Sequence, residues 1–351
     1  MTDQTTNFAA VLTTPKSDFL IQERPVPSPG PGELLIRNHA VGLNPIDGLR
    51  QAHDFLISSY PAILGTDLSG VVIQAGASVT TFQPGDRIIG FAHGLVSHNL
   101  ANAAFQTHVV IKANAAVALS ATMTFAQGAT LPTAVGTATM SLLDIFAIAL
   151  PGYPALPPAP RPTALLVWGG ASAGVGAMTV QLARRAGLTV FATASPHHHA
   201  RLRALGVAYV VDYHDAPAAV DELVAAAKRE GTPIGLAVDA ISQPGTLPVV
   251  LEVLRRSGGD GRKVLSHTRP WPEEVERPEG VEARMVRGDD LWNRREDVCE
   301  WLYGEALPKW LAEGQLVLSP FRVVGHGVAG IQGGLWELAK GVSGEKLVVE
   351  M

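Results

Sequence analysis

The stretch Thr163-Ala-Leu-Leu-Val-Trp-Gly-Gly-Ala-Ser-Ala-Gly-Val-Gly176 decides how this chain folds. An apolar run reads as a buried strand. A glycine-rich turn follows it, and the residues beyond the turn read as a helix. In a parallel α/β sheet this order presents backbone N–H groups and a helix N-terminus to a pyrophosphate. It points to a dinucleotide ligand and so to redox chemistry. The turn lies almost halfway along the 351 residues, so about half the protein precedes the nucleotide-binding unit.

Outward from the turn, residues 163–266 keep a βαβ rhythm. Strands are predicted at 164–168, 189–193, 209–212, 236–239 and 262–266, and helices at 176–185, 199–205, 217–229 and 247–256. That alternation implies a parallel sheet with helices on its faces. Residues 9–130 read differently. Short apolar runs at 34–39, 69–74 and 87–91 are separated by the turn signals at 29–32 and 83–86, which fits a compact, irregular β domain. Residues 126–149 have helical composition. The proline-rich stretch 151–162 reads as a surface loop, either an inert linker or a docking loop for a partner. Residues 267–290 read as a charged loop over the sheet's carboxyl edge, 297–313 as a helix and 346–350 as a last strand.

Composition narrows the class. Hydrophobic residues make up 47% and charged residues 17%, ample for a core and far from a disordered chain. A formal net charge of -5 and a pI near 6.1 give no reason to expect a nucleic-acid surface. The only cysteine, Cys299, excludes an intramolecular disulfide framework and a Cys-rich metal site. Residues 1–7 show neither a basic n-region nor an apolar h-region, so no signal peptide is expected. The longest apolar run, 133–150, contains Asp144 and several small residues and reads as a core helix rather than a membrane span. A cytoplasmic enzyme is the expectation.

Compared with G-x-G-x-x-G, the turn Ala171-Ser-Ala-Gly-Val-Gly176 has alanine for the first two glycines and retains the last. The Ser172 hydroxyl can donate to a phosphate oxygen. The next predicted strand ends Phe191-Ala-Thr-Ala-Ser-Pro196 without the carboxylate that binds the ribose 2′-OH of NAD. Thr193 and Ser195 stand there instead, followed by His197, His198, His199, Arg201 and Arg203. Hydroxyls and basic groups attract the 2′-phosphate that an acid repels, which favours NADPH. Consecutive histidines do not share one helical face, so they read as an exposed cap with one phosphate contact rather than a metal cluster. Tyr213 is placed to stack on adenine, Asp212 to cap the next helix, and Asp239 to hold hydrogen bonds at the end of its strand.

These residues, with Gly42-Leu-Asn-Pro-Ile-Asp47, Gly65-Thr-Asp-Leu-Ser-Gly-Val-Val72, Gly85-Asp-Arg-Ile-Ile-Gly90 and Leu131-Pro-Thr133, resemble the medium-chain dehydrogenase/reductase superfamily over essentially the whole chain. The resemblance implies a GroES-like irregular β-barrel domain over 1–132, completed by 312–351, and a doubly wound Rossmann NADP-binding domain over 133–311. Zinc enzymes of the superfamily carry Cys before the Asp of the first motif and Gly-His-Glu in the second. Here Pro45 and Thr66-Asp67 occupy those positions, the structural-zinc cysteines are missing, and a metal-free enzyme is expected. His39, His53, His93, His98 and His108 do not repair the site.

Within the superfamily the chain is similar to quinone oxidoreductases and, more closely, to the trans-acting enoyl reductases of fungal polyketide synthesis. Val167-Trp-Gly-Gly-Ala-Ser172, Val211-Asp-Tyr213 and Ser343-Gly-Glu-Lys-Leu-Val-Val349 carry that similarity. It implies that Thr137 lies near the nicotinamide. Gly170, Ser172, Ala173, Gly174 and Val175 would lie near the phosphates, and Ser195, His197, His198 and Arg201 near the 2′-phosphate. Leu265 and Ser266 would approach the nicotinamide end, with Met285 on the opposing loop. Leu49 stands where some enoyl reductases have Lys. The reaction implied is 1,4-reduction of an α,β-unsaturated carbonyl by NADPH, with Asn44 and Thr137 as candidate enolate contacts and Asp47 structural. The substrate would be a small molecule or a carrier-bound enoyl chain, with a polyketide synthase as partner and neither nucleic acid nor membrane involved. Quinone or small-enal reduction is the alternative activity. A catalytically inactive NADPH-binding scaffold is the alternative of a different class.

Overall fold

The computed structural model describes residues 6–154, 156, 164–259 and 261–351. Thr163 and most of the proline-rich stretch lie outside them. The chain divides into two units, Met1–Thr133 with Asp289–Met351, and Ala134–Gly288. The segment 289–311, grouped above with the nucleotide-binding domain, falls in the first unit.

The first unit opens with β1 (Thr6–Leu12), β2 (Leu20–Pro25), β3 (Glu33–Gly42), β4 (Ala62–Ile63), β5 (Asp67–Ala75), β6 (Arg87–Phe91), β7 (His108–Lys112) and β8 (Ala116–Ala118). The turn at 83–86 forms as its sequence dictates. Gly85 takes a φ of 96°, the Gln83 carbonyl accepts from the Asp86 N–H at 3.1 Å, and the Asp86 carboxylate accepts from the Gln83 N–H at 2.9 Å.

The second unit follows with β9 (Ala164–Trp168), β10 (Thr189–Thr193), β11 (Tyr209–Val211), β12 (Ile234–Asp239), β13 (Val264–His267) and β14 (Glu282–Met285). All pairings are parallel, in the order β11-β10-β9-β12-β13-β14. This is a doubly wound sheet, and its order reverses at β9, the strand that opens the glycine turn. Every residue of β9 is buried, as expected of a parallel strand covered on both faces. Helices Val175–Arg185, His199–Ala204, Ala216–Arg229 and Leu247–Ser257 make the crossovers. β14 is a strand within the stretch 267–290 whose sequence predicts a loop. Its residues Glu-Ala-Arg-Met lie at the sheet edge, where Glu282 pairs with Arg262 at 2.9 Å and Arg284 with Asp144 at 3.2 Å. Charges of this kind blunt an edge and erase the apolar signal of a strand.

The chain then returns to the first unit with β15 (Phe321–His326), helix Gly330–Ala339 and β16 (Lys346–Glu350). A seven-stranded sheet runs β15-β16-β3-β5-β6-β8, with β7 also on β3, and a three-stranded sheet runs β2-β1-β4. One buried cluster draws on both sheets, including Val11, Leu34, Leu68, Ile88, Ile111 and Leu347.

Two predicted helices are interrupted. The helical stretch after 126 ends at Met140, and a π-turn, Ser141–Ile145, follows; the Ser141 hydroxyl donates back to the Thr137 carbonyl at 3.1 Å. The 297–313 helix is Glu296–Trp301 and Leu307–Ala312 joined by a π-turn, Leu302–Ala306. Pro308 lacks the N–H that an α-helix would bond to the Gly304 carbonyl, so the ladder breaks there.

Gly70 marks the tightest approach of β5 to β3. Pairing shifts register between Asn38 and Ala40, and a Cβ on Gly70 would stand 2.2 Å from the Arg37 carbonyl oxygen. Gly70→Ala is expected to cost roughly 1–3 kcal/mol, read as a lower urea midpoint at unchanged m-value.

Candidate active site

The nucleotide side belongs to the second unit. The buried Thr193 at the end of β10 pins the glycine turn: its hydroxyl accepts from the Gly169 N–H at 3.0 Å and its carbonyl from the Gly170 N–H at 2.9 Å. Gly169 has a φ of 76°, and a Cβ on Gly176 would lie 2.1 Å from the Gly169 carbonyl oxygen. The retained glycine is therefore the one at which helix and strand cross. Ser172, Ala173, Gly174 and Val175 lead directly into helix Val175–Arg185, whose first N–H groups lack intrahelical acceptors.

Beyond β10, the Ser195 and Tyr213 hydroxyls are 3.2 Å apart, so two residues singled out separately in the sequence meet. Tyr213 is partly exposed, with its ring 6.4 Å from Trp168. The His197 and His198 rings are 4.0 Å apart. Burial, then His197, Arg201 and His199, lowers the pKa of His198; burial lowers that of Arg201. His199 turns away, with Nε2 2.9 Å from the Ala194 carbonyl. Asp212 does not cap the following helix. It bonds His214 at 2.5 Å, and Asp215 accepts from the Ala218 N–H at 3.1 Å as the cap.

Toward the far edge of the sheet, Leu265 is fully buried in the apolar core, on a strand paired with β12 on one side and β14 on the other. Ser266 is also buried, its hydroxyl 3.0 Å from that of Ser141, which in turn bonds the Thr137 carbonyl. Thr137 and Ser266 are thus joined through Ser141, a residue the sequence reading passed over; its one signal was a hydroxyl in an apolar run. Met285 is half-buried at the end of edge strand β14.

The first unit holds a buried polar cluster that the sequence did not announce. The Lys346 ammonium donates to Asp67 Oδ2 at 2.9 Å and to Asn44 Oδ1 at 2.5 Å. The Asn44 amide donates to Asp67 Oδ2 at 3.0 Å and to Thr66 Oγ1 at 3.2 Å. The Thr133 N–H and hydroxyl both donate to Asp67 Oδ1, at 2.7 and 2.5 Å, and the Thr66 and Thr133 hydroxyls are 2.9 Å apart. Asn44 was expected to touch an enolate, but both of its amide hydrogens are committed within this cluster. Asp47 is fully buried and accepts the Asn44 N–H at 2.9 Å, and burial pushes its carboxyl up to about 7.

An aromatic group lines up on the neighbouring strand. Ala92 donates its N–H to the Thr66 carbonyl at 2.7 Å. Phe91 and His93 on either side have ring centroids 5.0 and 5.9 Å from Trp292. Burial, with Lys112 adding to it, pushes His93 down to about 4, so its ring is neutral near pH 7. The buried Tyr303 hydroxyl donates to the Pro132 carbonyl at 2.9 Å. Among the described residues, no three His, Cys, Asp or Glu side chains converge as a metal site would require.

The comparisons with known proteins agree with this architecture. Residues 30–121 match the Alcohol dehydrogenase GroES-like domain family and residues 174–260 the Zinc-binding dehydrogenase family. The chain is 34% identical to Dehydrogenase orsE of Emericella nidulans over 99% of both chains. It is 33% identical to Trans-enoyl reductase tndF of Aspergillus flavipes over 98% of both. The solved structure of the CurK enoyl reductase matches with a TM-score of 0.76 at 21% identity, covering 98% of this chain and 99% of that one. The chain belongs to the medium-chain dehydrogenase/reductase superfamily, in its enoyl reductase group. It is an oxidoreductase of a family that uses a nicotinamide cofactor.

Removing one partner of a buried ion pair leaves the other charge uncompensated. Lys346→Met is expected to lose about 3–5 kcal/mol of stability by chemical denaturation. Asp47 gives a pH signature. Its folded pKa is raised, so between about pH 4 and pH 7 the folded state holds a proton that the unfolded chain has released, and stability falls as pH rises through that window. Asp47→Asn should flatten this decline in the urea midpoint; an unchanged slope would contradict the assignment.

Proposed function

We propose that this protein is an NADPH-dependent, metal-independent reductase that delivers hydride to the activated C=C of an α,β-unsaturated carbonyl. The observation that carries the cofactor choice is the end of β10: Ser195 is bonded to Tyr213 and followed by His197, His198 and Arg201, with no carboxylate from Pro196 through Val211. Bound NADPH supplies the hydride. Ser172, Ala173, Gly174, Val175 and the helix N-terminus would hold the pyrophosphate, with Gly170 in the turn beneath it. Ser195, His197, His198 and Arg201 would hold the 2′-phosphate and Tyr213 would face adenine. Thr137, the Leu265 and Ser266 backbone and Met285 would serve the nicotinamide end.

The donor set does not suit zinc. Pro45 offers no ligand atom, and both Asp67 oxygens are already filled by an ammonium, an amide, an N–H and a hydroxyl. A developing enolate must then be stabilised by hydrogen-bond donors. The acceptor is read as an enoyl thioester, free or carried by a polyketide synthase in the cytoplasm; the similarity to proteins named trans-enoyl reductase supports this class.

NADPH oxidation measured against enoyl thioesters, quinones, enals and ketones should give the highest kcat/KM with the thioesters. Faster quinone turnover would overturn the substrate class, and binding of NADPH without its oxidation by any of the acceptors would leave a nucleotide-binding scaffold. By isothermal titration NADPH should bind far more tightly than NADH. Ser195→Asp should cost NADPH about 100-fold in affinity, roughly 2.7 kcal/mol, while sparing NADH.

A further inference from the structure

We infer that the Thr66 hydroxyl is the hydrogen-bond donor that polarises the substrate carbonyl, with Asn44, Asp67 and Lys346 as its positioning residues. The inference rests on the reductase reading above. It follows from counting hydrogens in the buried cluster. Asn44 has two amide hydrogens, and its nitrogen is nearest to Asp67 Oδ2 at 3.0 Å and Thr66 Oγ1 at 3.2 Å, with Thr133 Oγ1 more distant at 3.5 Å. The Thr133 hydroxyl hydrogen goes to Asp67 Oδ1. Lys346 spends its charge on Asp67 and Asn44. Thr66 Oγ1 therefore accepts from Asn44 and keeps its own hydrogen, for which the cluster offers one neutral acceptor, the Thr133 oxygen 2.9 Å away. It is the hydroxyl in the cluster whose hydrogen is not pledged to a carboxylate. It can turn to a ligand without unpairing a charge.

A second observation on this side of the unit is a buried polar atom without a partner. Thr66 is bonded through its carbonyl to Ala92, and the next residue, His93, is 5% exposed with Nδ1 buried and without a partner. A buried polar atom left unpaired signals an absent partner. A neutral imidazole, Phe91 and Trp292 suit an uncharged, conjugated acyl group better than an anion.

The chemistry balances with water as the second reactant. Bound NADPH would supply the hydride that forms the C–H bond at the β-carbon and would itself be oxidised. The C=C pair shifts, the carbonyl oxygen takes the negative charge, and Thr66 shares its proton with that oxygen without losing it. Water then protonates the α-carbon. Asn44 holds Thr66 from behind, and Lys346 fixes which way the Asn44 amide faces by taking its oxygen.

The experiment compares wild type, Thr66→Val and Thr66→Ser with an enoyl thioester. Val keeps the shape and removes the donor; Ser keeps the donor. Thr66→Val should lower kcat about 10²–10³-fold, the effect of deleting one oxyanion donor. NADPH affinity should stay within about twofold, and Thr66→Ser should recover to within about tenfold of wild type. The carbonyl stretch of bound crotonamide should lie lower in wild type and Thr66→Ser than in Thr66→Val. If wild type turns over the thioester and Thr66→Val keeps its kcat, or Thr66→Ser is as slow as Thr66→Val, the assignment is wrong while the reductase reading stands. If wild type reduces no conjugated carbonyl, both fall.

Discussion

The first unit is organised around one buried pair of charges, Lys346 and Asp67. Moving both ions out of water costs several kcal/mol each, and their attraction offsets this only when the remaining lone pairs and protons are also bonded. Here they are. Asp67 receives the ammonium, an amide hydrogen, a backbone N–H and a hydroxyl, and Lys346 reaches Asn44 as well as Asp67. Four separate pieces of chain meet in that arrangement: the end of β3, the start of β5, the segment at Pro132–Thr133, and β16. Each side chain is oriented by the next, so the hydroxyl of Thr66 inherits its direction from an ammonium that does not touch it.

The second unit achieves order by other means. Its turn is held by backbone groups on the Thr193 hydroxyl and carbonyl, and by a crossing so close that position 176 excludes a β-carbon. Thr193 does not wait for a phosphate, because it is spent on the turn. The hydroxyl and basic side chains that the sequence singles out, Ser195, His197, His198 and Arg201, come later, beyond the turn.

This contrast explains what the sequence disclosed. β9, β10 and the glycine turn are local: apolar runs, glycines and helix starts lie within a few residues of one another, and periodicity reads them. The Rossmann and GroES-like architecture followed from those motifs in order. The polar cluster was illegible because its partners are 279 and 302 residues apart, and a lysine in a closing strand looks like any edge charge. β14 escaped because its outward charges satisfy each other, and Ser141 because a hydroxyl in an apolar run has no periodic signature. The two π-turns were hidden by helix-forming composition; Pro308 was the visible clue to one of them.

The first unit is written in two parts of the chain, with the whole second unit between them. During synthesis the nucleotide-binding sheet can complete itself, since every strand it needs is contiguous. β3 meanwhile lacks the antiparallel neighbour that β16 will supply, and Asp67 lacks its cation. A nascent chain thus carries an open sheet edge and a lone interior carboxylate until β16 is made. The first unit is therefore the last to close: its sheet and its buried ion pair are complete only when the five residues of β16 have been made.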